Sequence, residues 1–203
     1  EPMGGHDPYS SSKGCAELVS SAYRKSFLKD VGIALATVRA GNVIGGGDWA
    51  SDRLVPDVLR SLERNEVPMV RSPAATRPWQ HVLEPLSGYL LLSERLYLLG
   101  QLDAEGWNFG PRDEDVRSVQ WVVEFLCERW GGQSWSPQLG KHPHEANFLK
   151  LDISKARQRL HWEPRWSLER ALAHIIEWHR AWLLGRDMRD VCLNQIEQYG
   201  VTK

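Results

Sequence analysis

Residues 7–42 read DPYSSSKGCAELVSSAYRKSFLKDVGIALATVRAGN. In the first half Ala16, Val19, Ala22, Tyr23 and Phe27 recur at helical spacing behind a run of serines able to cap a helix start. In the second, residues 32–40 form a short apolar, β-branched run closed by Gly41 and Asn42, the pattern of a buried strand. The helix opens with Tyr9 and Lys13, one turn apart and on one face. A phenol of pKa about 10 is a poor base at neutral pH, and lowering it by about three units corresponds to roughly 4 kcal/mol. An ammonium within a few ångströms can supply much of that, so the pair is fitted to accept a proton from an alcohol under oxidation.

The same alternation continues along the chain. Residues 51–66 predict a helix, with Leu54, Val55, Val58, Leu59 and Leu62 on one side, Ser51 or Asp52 as cap, and Pro56 in the first turn. A strand at 67–72 follows, then a helix at 84–99 stopped by Gly100 and a strand at 106–111. Residues 118–132 read as an amphipathic helix ending in two glycines, and 147–162 as a strand running into a helix capped by Asp152 or Ser154. Two further helices, at about 167–184 and 187–199, complete the pattern, and Trp178 and Trp182 fall at packing positions on the first of them. Strands alternating with helices define an α/β fold with parallel pairing.

Composition narrows the function. With 42% hydrophobic and 25% charged residues, and 25 Lys+Arg against 26 Asp+Glu, the chain carries neither the charge excess of a nucleic-acid binder nor the polarity of a disordered one. Its longest apolar run, residues 88–100, is broken by Glu94 and Arg95 and is too short to cross a bilayer. Cys15, Cys127 and Cys192 are odd in number and far apart, as expected of reduced thiols in a cytoplasmic protein. Residues 44–49, IGGGDW, invite a reading as a phosphate cradle, but neither the dinucleotide fingerprint nor a P-loop is spelled there, and the glycines at 45–47 read as a backbone turn. His142, His144 and Glu145 offer three metal-ligand types on one short loop without a fourth, and no metal is expected.

The residues around Tyr9 and Lys13 resemble the catalytic helix of the extended short-chain dehydrogenase/reductases. Three blocks, EPMGGHDPYSSSKGCAELV (1–19), RAGNVIGGGDWASDRLVPD (39–57) and RPWQHVLEPLSGYLLL (77–92), resemble more closely the family of CDP-glucose 4,6-dehydratases. That resemblance covers nearly the whole chain. It implies a partial Rossmann-like parallel sheet at residues 1–48, to which about 76–110 return, and a small α/β nucleotide-sugar-binding domain over the rest of 49–203. It also implies bound NAD, CDP-glucose as substrate and a homo-oligomer, with no nucleic-acid or membrane partner.

By the same resemblance, Tyr9 takes the C4 hydroxyl proton of the sugar while Lys13 assists it and holds the nicotinamide ribose. Ala40 and Val43 flank the cofactor, Asn42 touches the substrate phosphates, and Arg53, Leu54 and Val55 line the nucleotide. Arg71 reaches the nucleotide side and Arg77 faces the pyrophosphate, which calls for guanidinium forks. Glu84 stands where most relatives have an aspartate, which puts any shared hydrogen bond there in question. The chain opens on Glu1, and no glycine-rich fingerprint precedes Tyr9. The expectation is therefore a C-terminal portion of such an enzyme, inactive by itself. Two alternatives stay open: a related nucleotide-sugar epimerase, dehydratase or decarboxylase, or a non-catalytic nucleotide-binding module.

Overall fold

The computed structural model describes residues 7–138 and 149–202. The chain divides into two compact units, one of Glu1–Arg39, Leu86–Phe109 and Ile153–Trp162, the other of Ala40–Pro85, Gly110–Asp152 and Glu163–Lys203. The first boundary falls at Arg39 where the sequence placed it near residue 48, and Ile153–Trp162 joins the returning segment because Ile153, Ala156, Leu160 and Trp162 supply apolar side chains to that unit's core.

The first unit opens with helix α1, Pro8–Tyr23. Its cap is Asp7, whose carboxylate accepts from the Ser10 N–H at 2.9 Å, with Pro8 pre-set in the first turn. The serines are already inside the helix, so the expected serine cap is replaced by an Asp-Pro start. The helix widens into a π-type turn at Arg24–Leu28 and closes where the Ile33 N–H reaches the Leu28 carbonyl, with Gly32 at φ 73°. That exit consumes residues 29–36. The strand expected from residue 32 is therefore only β1, Thr37–Ala40, and it is half-buried rather than buried. β1 pairs with β6, Gly106–Phe109.

Helix α3, Leu83–Leu99, and the helical segment 154–160 complete this unit. The core is aromatic: Phe109 meets Trp162 edge-on at 4.9 Å between ring centres and Tyr89 at 5.6 Å. Gly88 lets α3 approach, since a Cβ there would lie 2.3 Å from the Phe109 ring. Around the rim the Trp107 indole is faced by Lys155 and Arg159 at 4.4 and 5.1 Å. Both cations also pair with Glu105, and Arg95 and Arg159 pair with the buried Asp103. No strand precedes segment 154–160 among the described residues; Ile153 enters the core directly, and His161 ends the segment in the left-handed region at φ 52°. Gly100 ends α3 as expected and leads into a 3-10 turn, Gly100–Asp103.

In the second unit β2, Asn42–Ile44, runs parallel to β5, Trp79–His81, in the register Asn42 to Trp79, Val43 to Gln80 and Ile44 to His81. β3, Met69–Val70, pairs in parallel with β8, Ser136–Pro137, and β4, Thr76–Arg77, pairs antiparallel with β7, Arg117–Ser118. Three amphipathic helices build the core: α2, Leu54–Glu63; α4, Val119–Trp130, capped by Ser118; and α5, Leu168–Leu183, capped by Ser167. Val55, Val58, Leu59 and Leu62 of α2 meet Val122, Val123 and Leu126 of α4 and Leu172 and Ile175 of α5. Each of these side chains withdraws roughly 1.5–3 kcal/mol worth of apolar surface from water. Helix α6, Met188–Val201, follows with Asp187 as its cap. No helix among the described residues is long and apolar enough to cross a membrane.

Candidate active site

Tyr9 and Lys13 lie on α1 as the spacing requires. The Lys13 ammonium stands 5.5 Å from the centre of the Tyr9 ring, and the tyrosine is 72% exposed, so an outside ligand can reach both groups. A third polar residue shares that side of the helix. The Glu17 carboxylate accepts from the Thr37 hydroxyl at 2.8 Å and pairs with Arg39 at 2.9 Å, and Arg39 Nε donates to Asn108 Oδ1 at 2.6 Å. Sequence reasoning missed this chain of contacts, although Glu17 repeats the four-residue step from Tyr9 to Lys13.

The nucleotide-side candidates collect in the second unit. Ala40 ends β1, and Asn42 and Val43 begin β2, all half-buried. Gly41 between them is held by close approach: a Cβ would fall 2.2 Å from the Pro78 carbonyl oxygen, which accepts from the Asn42 N–H at 2.8 Å. Arg53 is the residue before the first turn of α2 and makes no side-chain cap, so the expected Ser51 or Asp52 cap is absent. Asp52 instead adopts φ 61° and pairs with Arg71 at 3.5 Å, which draws the end of β3 to the start of α2. Exposed Arg53 and half-buried Arg71 thus stand near the N-terminus of α2, where the Asp52 carboxylate offsets part of their positive charge. Leu54 is half-buried, whereas Val55 is 2% exposed and packed in the core, so of the two only Leu54 presents surface to a ligand. Arg77 lies at the end of β4, opposite Arg117, with Nη1 donating to the Thr76 carbonyl at 3.0 Å.

The glycine-rich turn has a packing role. A Cβ on Gly46 would sit 2.2 Å from Cγ of Trp178, so the indole lies against bare backbone there. Trp49 covers the same helix face, with ring centres 6.1 Å from Trp178 and 4.5 Å from Trp182.

Behind the strands are two buried titratable groups. His81 is 2% exposed and accepts from the Leu83 N–H on Nδ1; burial, with His174 nearby, lowers its pKa to about 4, so it is neutral at physiological pH. Glu84 is 1% exposed and accepts from the Arg165 N–H at 3.0 Å, the Trp166 N–H at 2.7 Å and the Tyr199 hydroxyl at 2.8 Å. Burial raises its carboxyl above the ordinary range against the opposing pull of those donors and Arg165. The longer acid therefore does make hydrogen bonds at this position. His142, His144 and Glu145 lie outside the described residues.

The fold is that of nucleotide-sugar dehydratases and epimerases. The structure superposes on the dTDP-glucose 4,6-dehydratase of Bacillus anthracis, solved in complex with NAD, with a TM-score of 0.73 at 20% identity, covering 88% of this chain and 54% of that one. It matches the UDP-glucose 4-epimerase of Thermotoga maritima equally, at TM-score 0.73 and 23% identity over 87% of this chain and 54% of that one. No family model matches the chain. In sequence it is 55% identical over 98% of its length to the CDP-glucose 4,6-dehydratase of Salmonella typhimurium, of which it spans 57%. The resemblance carried by the three sequence blocks thus extends along the chain.

Proposed function

We propose that the polypeptide carrying these residues is an NAD-dependent hydro-lyase that converts CDP-glucose to CDP-4-dehydro-6-deoxy-glucose. What carries the reading is the 55% identity across 98% of the chain, with the Tyr9–Lys13 pair accessible on its helix. An exposed phenol and ammonium on one face suit a sugar alcohol beside a dinucleotide ribose. NAD, when bound, supplies the acceptor that takes the C4 hydride and returns it at C6. Tyr9 accepts the C4 hydroxyl proton; Lys13 holds the phenolate by charge and hydrogen-bonds the ribose. Ala40 and Val43 shape the cofactor side. Arg77 offsets part of the pyrophosphate charge, Asn42 hydrogen-bonds the phosphates, and Arg53 and Arg71 with Leu54 line the nucleotide. The same reading makes the protein cytoplasmic and homo-oligomeric, a maker of deoxysugar precursors.

The test uses the intact protein, expressed from the complete reading frame that contains these residues, whatever its length. Supplied with NAD and CDP-, dTDP-, GDP- or UDP-glucose, it is expected to yield a 4-keto-6-deoxy sugar from the CDP form at a kcat/KM at least about tenfold above the others, a difference of about 1.4 kcal/mol. A preference for another base would move the assignment to that nucleotide, and an epimer or pentose product would refute dehydration.

A further inference from the structure

Helix α1 carries the proposed acid/base pair but buries none of its own residues, and Leu18, Val19 and Tyr23 are 59, 57 and 55% exposed. Apolar packing within the described residues therefore does little to fix where the helix stands along strand β1. A polar contact that does so lies at Glu17, two turns beyond Tyr9 and about 12 Å along the axis. Its Oε2 receives the Thr37 hydroxyl and the Arg39 guanidinium, from alternate residues on one face of β1, and Arg39 is itself held by Asn108 of the paired strand β6. Gly106 of β6 leaves the room this arrangement needs, since a Cβ there would stand 3.0 Å from Arg39 Nη1 and 3.2 Å from Thr37 Oγ1. The Glu17 side chain is only 18% exposed, which shields the pair from solvent more than an open surface ion pair.

We propose that Glu17 is a positioning residue: by clamping α1 to Thr37 and Arg39 it fixes the depth at which Tyr9 and Lys13 are presented to the sugar. Tyr9 and Lys13 travel together on the helix, so releasing the clamp moves the pair without separating its members. The inference rests on the reading of those two residues as the catalytic pair. A displacement near 1 Å of a reacting group costs up to about 100-fold in rate.

The experiment measures the intact protein with CDP-glucose, normal and deuterated at C4, in Glu17→Ala, Glu17→Gln and Glu17→Asp variants, with NAD-binding sites counted in each preparation. Glu17→Ala is expected to lower kcat per site by about 10- to 100-fold with KM within about threefold, and to raise the deuterium isotope effect as hydride transfer becomes slower than the other steps. Glu17→Gln keeps the Thr37 bond and loses the charge pair, so it should fall by about 3- to 10-fold, and Glu17→Asp should recover part of the loss. If Glu17→Ala does not fold, the Gln and Asp variants carry the same readouts. A merely structural glutamate would reduce the count of sites and leave kcat per site and the isotope effect unchanged, which overturns the proposal. Tyr9→Phe in the same assay separates the two claims. If it abolishes turnover while the Glu17 variants match wild type, only the clamp is wrong; if it leaves turnover intact, the catalytic reading fails and the clamp with it.

Discussion

Replacing Glu84 by alanine should be among the most damaging single changes in the second unit. The carboxylate joins the start of α3 to the 163–166 turn and to the end of α6 through the Arg165 N–H, the Trp166 N–H and the Tyr199 hydroxyl. Glu84→Ala strips the acceptor from all three. A buried donor left without a partner costs about 1–3 kcal/mol, and the vacated volume adds a cavity penalty, so a loss of about 3–5 kcal/mol is expected. Tyr199→Phe removes one donor and should cost about 1 kcal/mol. Urea unfolding of the intact protein, followed by the fluorescence of Trp166 and its neighbours, measures both.

The pH dependence gives an independent check on the same group. Glu84 holds its proton more tightly folded than unfolded because burial penalises the charge. Above the unfolded carboxylate value of about 4.5 the folded state binds more protons, so this contribution is complete below that pH and is lost as pH rises through the folded pKa. The stability of wild type relative to Glu84→Gln should therefore decline with rising pH across that window. A Glu84→Ala loss below about 1 kcal/mol, or a wild-type advantage that grows with pH, would refute the description of Glu84 as a desolvated, fully engaged acceptor.

Two other substitutions probe packing and the nucleotide side. Gly46→Ala places a methyl 2.2 Å from the Trp178 ring and should cost about 1–3 kcal/mol, seen as a lowered melting temperature; an unchanged melting temperature would mean the indole is not pinned against that turn. Arg77→Met should raise KM for the nucleotide sugar about 10- to 100-fold with a much smaller change in kcat, the signature of losing one charge-assisted contact made equally in ground and transition states; an unchanged KM removes Arg77 from the site.

Local signals carried most of the helical architecture. The apolar spacing of α2, α4 and α5 lies within single segments, so periodicity suffices to place them. Strands were harder to read because each ladder holds only two to four residues per strand, too short for alternation to register, and Ser136–Pro137 has no β-branched residue at all. The run at 32–40 misled because Ile33, apolar as it is, belongs to an exposed helix exit. In the candidate site Tyr9 and Lys13 were legible because their relation is one helical turn. The Glu17 clamp and the Glu84 node were not, since each is defined by partners far away in the chain: Thr37, Arg39 and Asn108 for one, Arg165, Trp166 and Tyr199 for the other. The Asp7 cap was missed for a different reason, an Asp-Pro start overlooked in favour of the serines beside it.

Catalysis is expected to depend on Tyr9 above any other residue of the chain. In the intact protein, turnover of CDP-glucose by Tyr9→Phe is predicted to fall by at least about 100-fold while binding of NAD and of the nucleotide sugar, measured by calorimetry, stays within about threefold of wild type. Turnover within about twofold of wild type would contradict it, because no proton acceptor for the sugar alcohol would then reside at that position.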